Sequence, residues 1–162
     1  MNTICLPSKS RFPKSCQALL ILTVQFLISK PLPELTPFYG QWKIYQVINT
    51  TNVTALSSKE ATSFLGKTLT YGRSSAFAGG SKPASVEYRS RLLTENEFVE
   101  DYRTPWKQLK FGTGAVTQID VIDKNSGKLW ASPGAVLFFS EKTGLIIRIK
   151  GTYFALHKER SN

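Results

Sequence analysis

The amino-acid sequence predicts an all-β fold, an antiparallel barrel of about eight strands with two short helices. Three observations lead there. Beyond residue 37 the chain breaks into eight short segments rich in β-branched and aromatic residues, most of them separated by Gly, Asn or Pro turns. Only two segments bear helix-start signals. An open sheet of this size would leave two exposed edges, which closure into a barrel removes, and eight strands enclose space for side chains or one small ligand.

Residues 1–30 stand apart from that fold. They hold Lys9, Arg11 and Lys14, no acidic residue, and then the eleven-residue apolar run 18–28 (ALLILTVQFLI). A basic stretch followed by such a run is the pattern of a secretory signal. It is about half the ~20 residues a membrane-spanning helix needs, so an uncleaved anchor is the second reading. Ser29 suits the cleavage position, whereas bulky Leu27 two residues earlier does not. Cys5 and Cys16 lie before or at the edge of the run, so a mature chain has no cysteine and no disulfide. The expectation is a secreted or periplasmic protein, membrane-anchored only if residues 18–28 are retained. Residues 31–37 contain three prolines and read as an extended linker, which places the barrel domain at 38–162.

Within that domain the first strand spans Gln41 to Asn49, with Trp42, Ile44, Gln46 and Ile48 on one face. Lys67 to Arg73 sets Leu69 and Tyr71 together. Ser85 to Leu92 alternates most cleanly, Val86, Tyr88, Ser90 and Leu92 against Glu87, Arg89 and Arg91. Ala115 to Ile122 leads through the turn Lys124-Asn125-Ser126-Gly127 to a short strand over Lys128 to Ala131, Asn and Gly supplying the positive backbone angles of a tight hairpin. Ala135 to Ser140, Leu145 to Lys150 and Thr152 to Lys158 complete the set. The helices are announced by capping boxes: Ser57 with Glu60 for Ser58 to Leu65, and Thr94 with Glu97 for Glu95 to about Arg103, the latter stopped by Pro105. The glycine- and serine-rich stretch 74–84 reads as a loop.

Composition narrows the chemistry. The only histidine is His157, with no neighbouring ligand-type residue, so zinc sites and histidine-based triads lack their parts. Glu95, Glu97, Glu100 and Asp101 read as caps and a solvated helix face, Asp120 and Asp123 as hairpin residues, and Gly79-Gly80 lacks phosphate-loop spacing. No catalytic residue, metal or cofactor is expected. The net charge of +10 falls to +6 when Lys9, Arg11, Lys14 and Lys30 are removed with residues 1–30. That excess favours anionic surfaces. The pairs Tyr71/Arg73, Tyr88/Arg89 and Trp106/Lys107 resemble a nucleic-acid stacking surface, but strand neighbours point to opposite faces, and nucleic acid is not the expected partner. Asn49-Thr50-Thr51 and Asn52-Val53-Thr54 are glycosylation sequons, relevant only in a eukaryotic secretory pathway.

At the start of the first strand stands Phe38-Tyr39-Gly40-Gln41-Trp42. This resembles the F-x-G-x-W signature of the lipocalins and the wider calycin group, in the form of an outlying bacterial secreted protein. The resemblance implies that Gly40 lets the chain bend, that Trp42 with Phe38 closes one end of the barrel, and that a basic residue near the end of the last strand covers the Trp ring. Lys158 and Arg160 are the candidates by position, with Arg148 one strand too early. A T-D-Y-like triplet and a long helix after the last strand, both usual in the family, are missing. The implied function is non-catalytic binding of a small hydrophobic or amphipathic ligand, with Ile44, Gln46, Tyr71, Tyr88 and Ser90 facing the cavity. The alternative is a protein-interaction module, an inhibitor or envelope-associated partner, working through its loops or basic face.

Overall fold

The computed structural model describes residues 38–51, 55–112 and 115–160. The signal-like segment, the proline-rich linker and the Asn52 sequon lie outside the described residues.

Eight antiparallel strands follow one another around a closed ring: β1 Gly40–Thr50, β2 Thr68–Tyr71, β3 Ser75–Ala78, β4 Ala84–Leu93, β5 Val116–Asp123, β6 Val136–Ser140, β7 Gly144–Ile149 and β8 Thr152–Lys158. The seam is made by β8 against β1, from Trp42 opposite Lys158 to Thr50 opposite Thr152. Closure pairs what would be the two edge strands of an open sheet. Because the strands alternate in direction, one end of the ring holds the start of β1 and the end of β8. The other holds the start of β2 and β6 and the end of β3 and β7.

Three short helices accompany the ring: α1 Ser58–Thr62, α2 Glu95–Tyr102 and α3 Trp106–Leu109. Both predicted capping boxes form, Ser57 with Glu60 and Thr94 with Glu97. α2 ends where Arg103 turns left-handed at φ 53°, ahead of Pro105. Four elements differ from the sequence expectation, the first being α1, which stops at Thr62 rather than Leu65. Lys128 to Ala131 does not form a strand, contributing a single bridge, Leu129 opposite Ile122. The eighth strand is instead β3, inside the stretch read as a loop. Its Ala76 and Ala78 are too small to give an apolar signal, and it is held by its pairing with Tyr71 and Leu69 on β2 and with β4. α3 was not predicted, its four residues being too few for a helical period to register.

The side chains form two layers. Inside the ring lie Trp42, Ile44, Leu69, Tyr71, Val86, Ile119, Val121, Leu137, Ile147 and Phe154. Outside it, Phe98, Trp106 and Leu109 of α2 and α3 cluster with Phe138, Ile146 and Tyr153 on the outward face of β6, β7 and β8. Strand β1 serves both layers because it contains irregularities. Ile44 faces Leu156 while Gln46 faces the next residue, Ala155, so one residue of β1 is extra and the alternation flips. As a result Val47 packs on the interior cluster and Ile48 on the outer one.

Candidate functional site

One end of the barrel is shut by aromatic rings. Phe38 is buried, and its carbonyl accepts the Trp42 indole N–H at 2.7 Å. Its ring lies 5.9 Å from that of Tyr71 and 5.0 Å from that of Tyr88, edge-on to the latter. Gly40 sits at φ 131°, and a Cβ there would stand 2.8 Å from Lys158 Cε. That room lets Lys158 lay its ammonium 5.7 Å from the Trp42 ring. Of the two basic candidates, Lys158 is therefore the one over the indole, while Arg160 is exposed. Arg148 covers a different ring, Tyr102, at 5.5 Å.

The tyrosines expected to face a ligand belong to this packing. Tyr71 donates its hydroxyl to the Gly134 carbonyl at 3.1 Å, and Tyr88 donates to the carbonyls of Gly72 and Ser75 at 2.7 and 3.1 Å. Burial pushes both phenols above their ordinary value, so they remain neutral donors. Gly134 is held at φ 86°, and a Cβ on it would run into the Tyr71 hydroxyl and the Leu69 side chain. The segment around Trp130 to Ala135 thus packs onto the barrel interior, with Trp130 in the interior cluster.

Among the described residues, cavities of about 310 Å³ each open at the other end, and two of them share part of their walls. The first is walled by Ile44, Leu69, Ala78, Phe64 and Pro133, with Lys67 as its one charged wall residue. The second lies beside Phe64, Trp130, Pro133, Ile149, Arg148 and Lys150. Phe64 and Pro133 belong to both walls. The Phe64 ring is fixed by Phe154 at 5.7 Å and by the Lys67 ammonium at 4.6 Å.

Of the five residues predicted to face a ligand, Ile44 lines a cavity. Gln46 is a correction: the β1 irregularity turns it outward, and it is exposed. Tyr71 and Tyr88 are spent on the aromatic plug. Ser90 is half-buried opposite Ile119, away from both cavities. Sequence reasoning missed Phe64, Trp130, Pro133 and Arg148. Phe64 and Pro133 stand in loops, where period-two alternation gives no signal.

Four of the acidic residues singled out above have structural partners. Asp101 pairs with Arg91 at 2.5 Å, and Asp120 accepts from Gln118 at 2.8 Å. Asp123 accepts the backbone N–H of Asn125 and Ser126, and the Thr94 backbone and hydroxyl hold the Glu97 carboxyl below its ordinary value. The Asn49 side chain donates to Gln108 at 2.8 Å, tying β1 to α3. His157 is exposed, its ring 5.4 Å from Tyr45. Among the described residues there is no group of three metal-ligating side chains and no helix long and apolar enough to cross a membrane. Tyr71 and Trp106 are buried, so these rings are not open stacking faces.

These features define a class by architecture: a closed eight-stranded antiparallel barrel, aromatic-plugged at one end and cavity-bearing at the other. Comparisons with protein-family models, with curated proteins and with solved structures return no match.

Proposed function

We propose that the chain is a lipocalin-like, non-catalytic binding protein, exported to the periplasm or beyond, that takes up a small hydrophobic or amphipathic ligand. The observation that supports this is the first cavity. Its volume falls at the lower end of the usual range for small-molecule sites, and Ile44, Leu69, Ala78, Phe64 and Pro133 offer an apolar wall with one cation at Lys67. The Phe38/Gly40/Trp42 plug with Lys158 over the indole agrees with the resemblance in the sequence. Export is inferred from residues 1–30, and the positive charge beyond them favours an anionic surface near the place of action.

The test is native mass spectrometry of the chain purified from its producing organism, followed by denaturing extraction. The expected result is a stoichiometric small apolar mass that is lost in Ala78→Trp, which fills the first cavity at a half-buried position. A clean apo mass with a co-purifying protein would overturn this reading in favour of an interaction module. The measured mass of the intact chain, short by residues 1–30 or not, decides whether the segment is removed.

A further inference from the structure

Charge is unevenly divided between the two ends of the barrel. The connections at the cavity end, residues 51–67, 79–83, 124–135 and 150–151, carry Lys59, Lys67, Lys82, Lys124, Lys128 and Lys150 against one acid, Glu60. All six lysines are exposed, and Glu60 is engaged with Ser57 in capping α1. The connections leaving the plugged end, residues 72–74, 94–115 and 141–143, are balanced: Arg73, Arg103, Lys107, Lys110 and Lys142 are met by Glu95, Glu97, Glu100, Asp101 and Glu141. The positive excess of the connections therefore belongs to one end.

The four cavity-end connections also come together in space. Phe64 and Lys67 of the first, Gly79 and Ser81 of the second and Pro133 of the third border one cavity, while Phe64, Trp130 and Lys150 of the fourth border the other. The same connections expose apolar side chains. Leu65 and Leu129 are 39% and 50% exposed, and each stands within two residues of a lysine. Leucines set among ammonium groups suit the boundary of a lipid layer, where the apolar tip enters the acyl region and the cation meets headgroup phosphate. Nucleic acid fits this end less well, because its connections contain no arginine and their rings, Phe64 and Trp130, are half-buried and buried.

We propose that the cavity end of the barrel docks on an anionic lipid bilayer, with its lysines at the headgroups and Leu65 and Leu129 in the interface. Docked in this way, the cavities face lipid, the source of an amphipathic ligand under the reading above. The docking itself does not depend on that reading.

The experiment is co-sedimentation of the full chain with vesicles of phosphatidylcholine alone and of phosphatidylcholine mixed with phosphatidylglycerol. Binding is expected to the anionic vesicles and should fade with added salt. A lysine near such a surface contributes about fivefold to binding, so Lys82→Gln with Lys128→Gln should weaken it about 25-fold. Arg73→Gln with Lys142→Gln, the same change in net charge at the plugged end, should leave it within about twofold. Leu65→Ser with Leu129→Ser should weaken binding and keep its salt dependence. These six positions lie outside both cavity walls, so loss of docking and failure of the ligand reading are separable. Indifference to lipid charge, equal losses from the two charge pairs, binding unaffected by the leucine pair, or capture of an acidic protein through Lys82 and Lys128 in place of vesicles would each overturn the proposal. Should the charge variants fail to fold, hydrogen exchange of the unaltered chain serves instead. Anionic vesicles should slow exchange in 79–83 and 124–129 and not in 141–143, and any other pattern overturns the proposal.

Discussion

The interior of the ring and the layer under α2 and α3 are both aromatic-rich, yet they are built differently. Inside, polar atoms are tied to backbone: the indole N–H of Trp42 to the Phe38 carbonyl, the Tyr71 hydroxyl to Gly134, the Tyr88 hydroxyl to Gly72 and Ser75. Outside, Phe98 sits among the rings of Tyr102, Phe111, Phe138 and Tyr153, while the indole N–H of Trp106, the Tyr153 hydroxyl and Arg148 Nε are buried without partners. The interior is specified by bonds from ring donors to backbone carbonyls, the outer layer by ring packing with side-chain hydrogen bonds at its margin, Tyr102 to Gln118 and Asn49 to Gln108. The directional bonds of the interior use its buried donors, whereas these three outer-layer atoms are held chiefly by the packing around them.

The largest effect is expected from removing the centre of the outer layer. Phe98→Ala should cost about 3–5 kcal/mol in urea unfolding, the range for truncating a fully buried aromatic. Native-state hydrogen exchange would sharpen the comparison. If the layers are distinct, amides of α2 and α3 lose protection first while the β1–β8 seam keeps its own. Equal loss in both regions would merge them into one cooperative unit.

A smaller effect tests the directional character of the interior. Gly134→Ala forces a side chain to adopt a left-handed backbone and presses on the Tyr71 hydroxyl, and should cost about 1–3 kcal/mol. Tyr71→Phe removes the donor and strands a buried carbonyl, again about 1–3 kcal/mol. Since the two share one contact, the double variant should be less destabilised than the sum of the singles. Additive losses would mean that Gly134 is required for its backbone angle alone.

The smallest effect concerns the link between the layers. Thr94→Ala removes the α2 cap and should cost about 1 kcal/mol in thermal melts. The folded chain holds the Glu97 carboxyl below its ordinary 4.5, chiefly through the Thr94 backbone N–H. The stabilisation is therefore present above pH 4.5 and is lost as the pH falls through the lowered value. In Thr94→Ala the acid-side slope should flatten, because the hydroxyl half of the box is gone. An unchanged slope would show that the backbone N–H alone sets the carboxyl.

The two regions also differ in how legible they are. β4 faces solvent on much of one side, so Val86, Tyr88 and Ser90 alternate with exposed Glu87, Arg89 and Arg91, and its inward face could be read directly. β7 and β8 are covered on both sides. Their sequences, Leu-Ile-Ile and Tyr-Phe-Ala-Leu, are unbroken apolar runs that announce burial without saying which residue faces which layer. Only the register separates Ile147 and Phe154, inside, from Ile146 and Tyr153, under the helices. The cavities were less legible still. Ile44 was found from alternation, but Phe64 and Pro133 come from loops distant in sequence, and no local rule brings them to one wall.

By itself the sequence determined the all-β class, seven of the eight strands, the starts of both capped helices and the place of Phe38, Gly40 and Trp42 at the entry to β1, and it left Lys158 and Arg160 as alternatives over the indole. All of these rest on local periodicity, local hydrogen bonding or one short motif. Tertiary structure alone decided that 75–78 pairs as a strand, that Gln46 turns outward, and that Phe64, Pro133 and Arg148 border the open space. Those outcomes depend on register, on an extra residue in β1 and on contacts between loops, and such non-local terms leave no period in the chain that makes them.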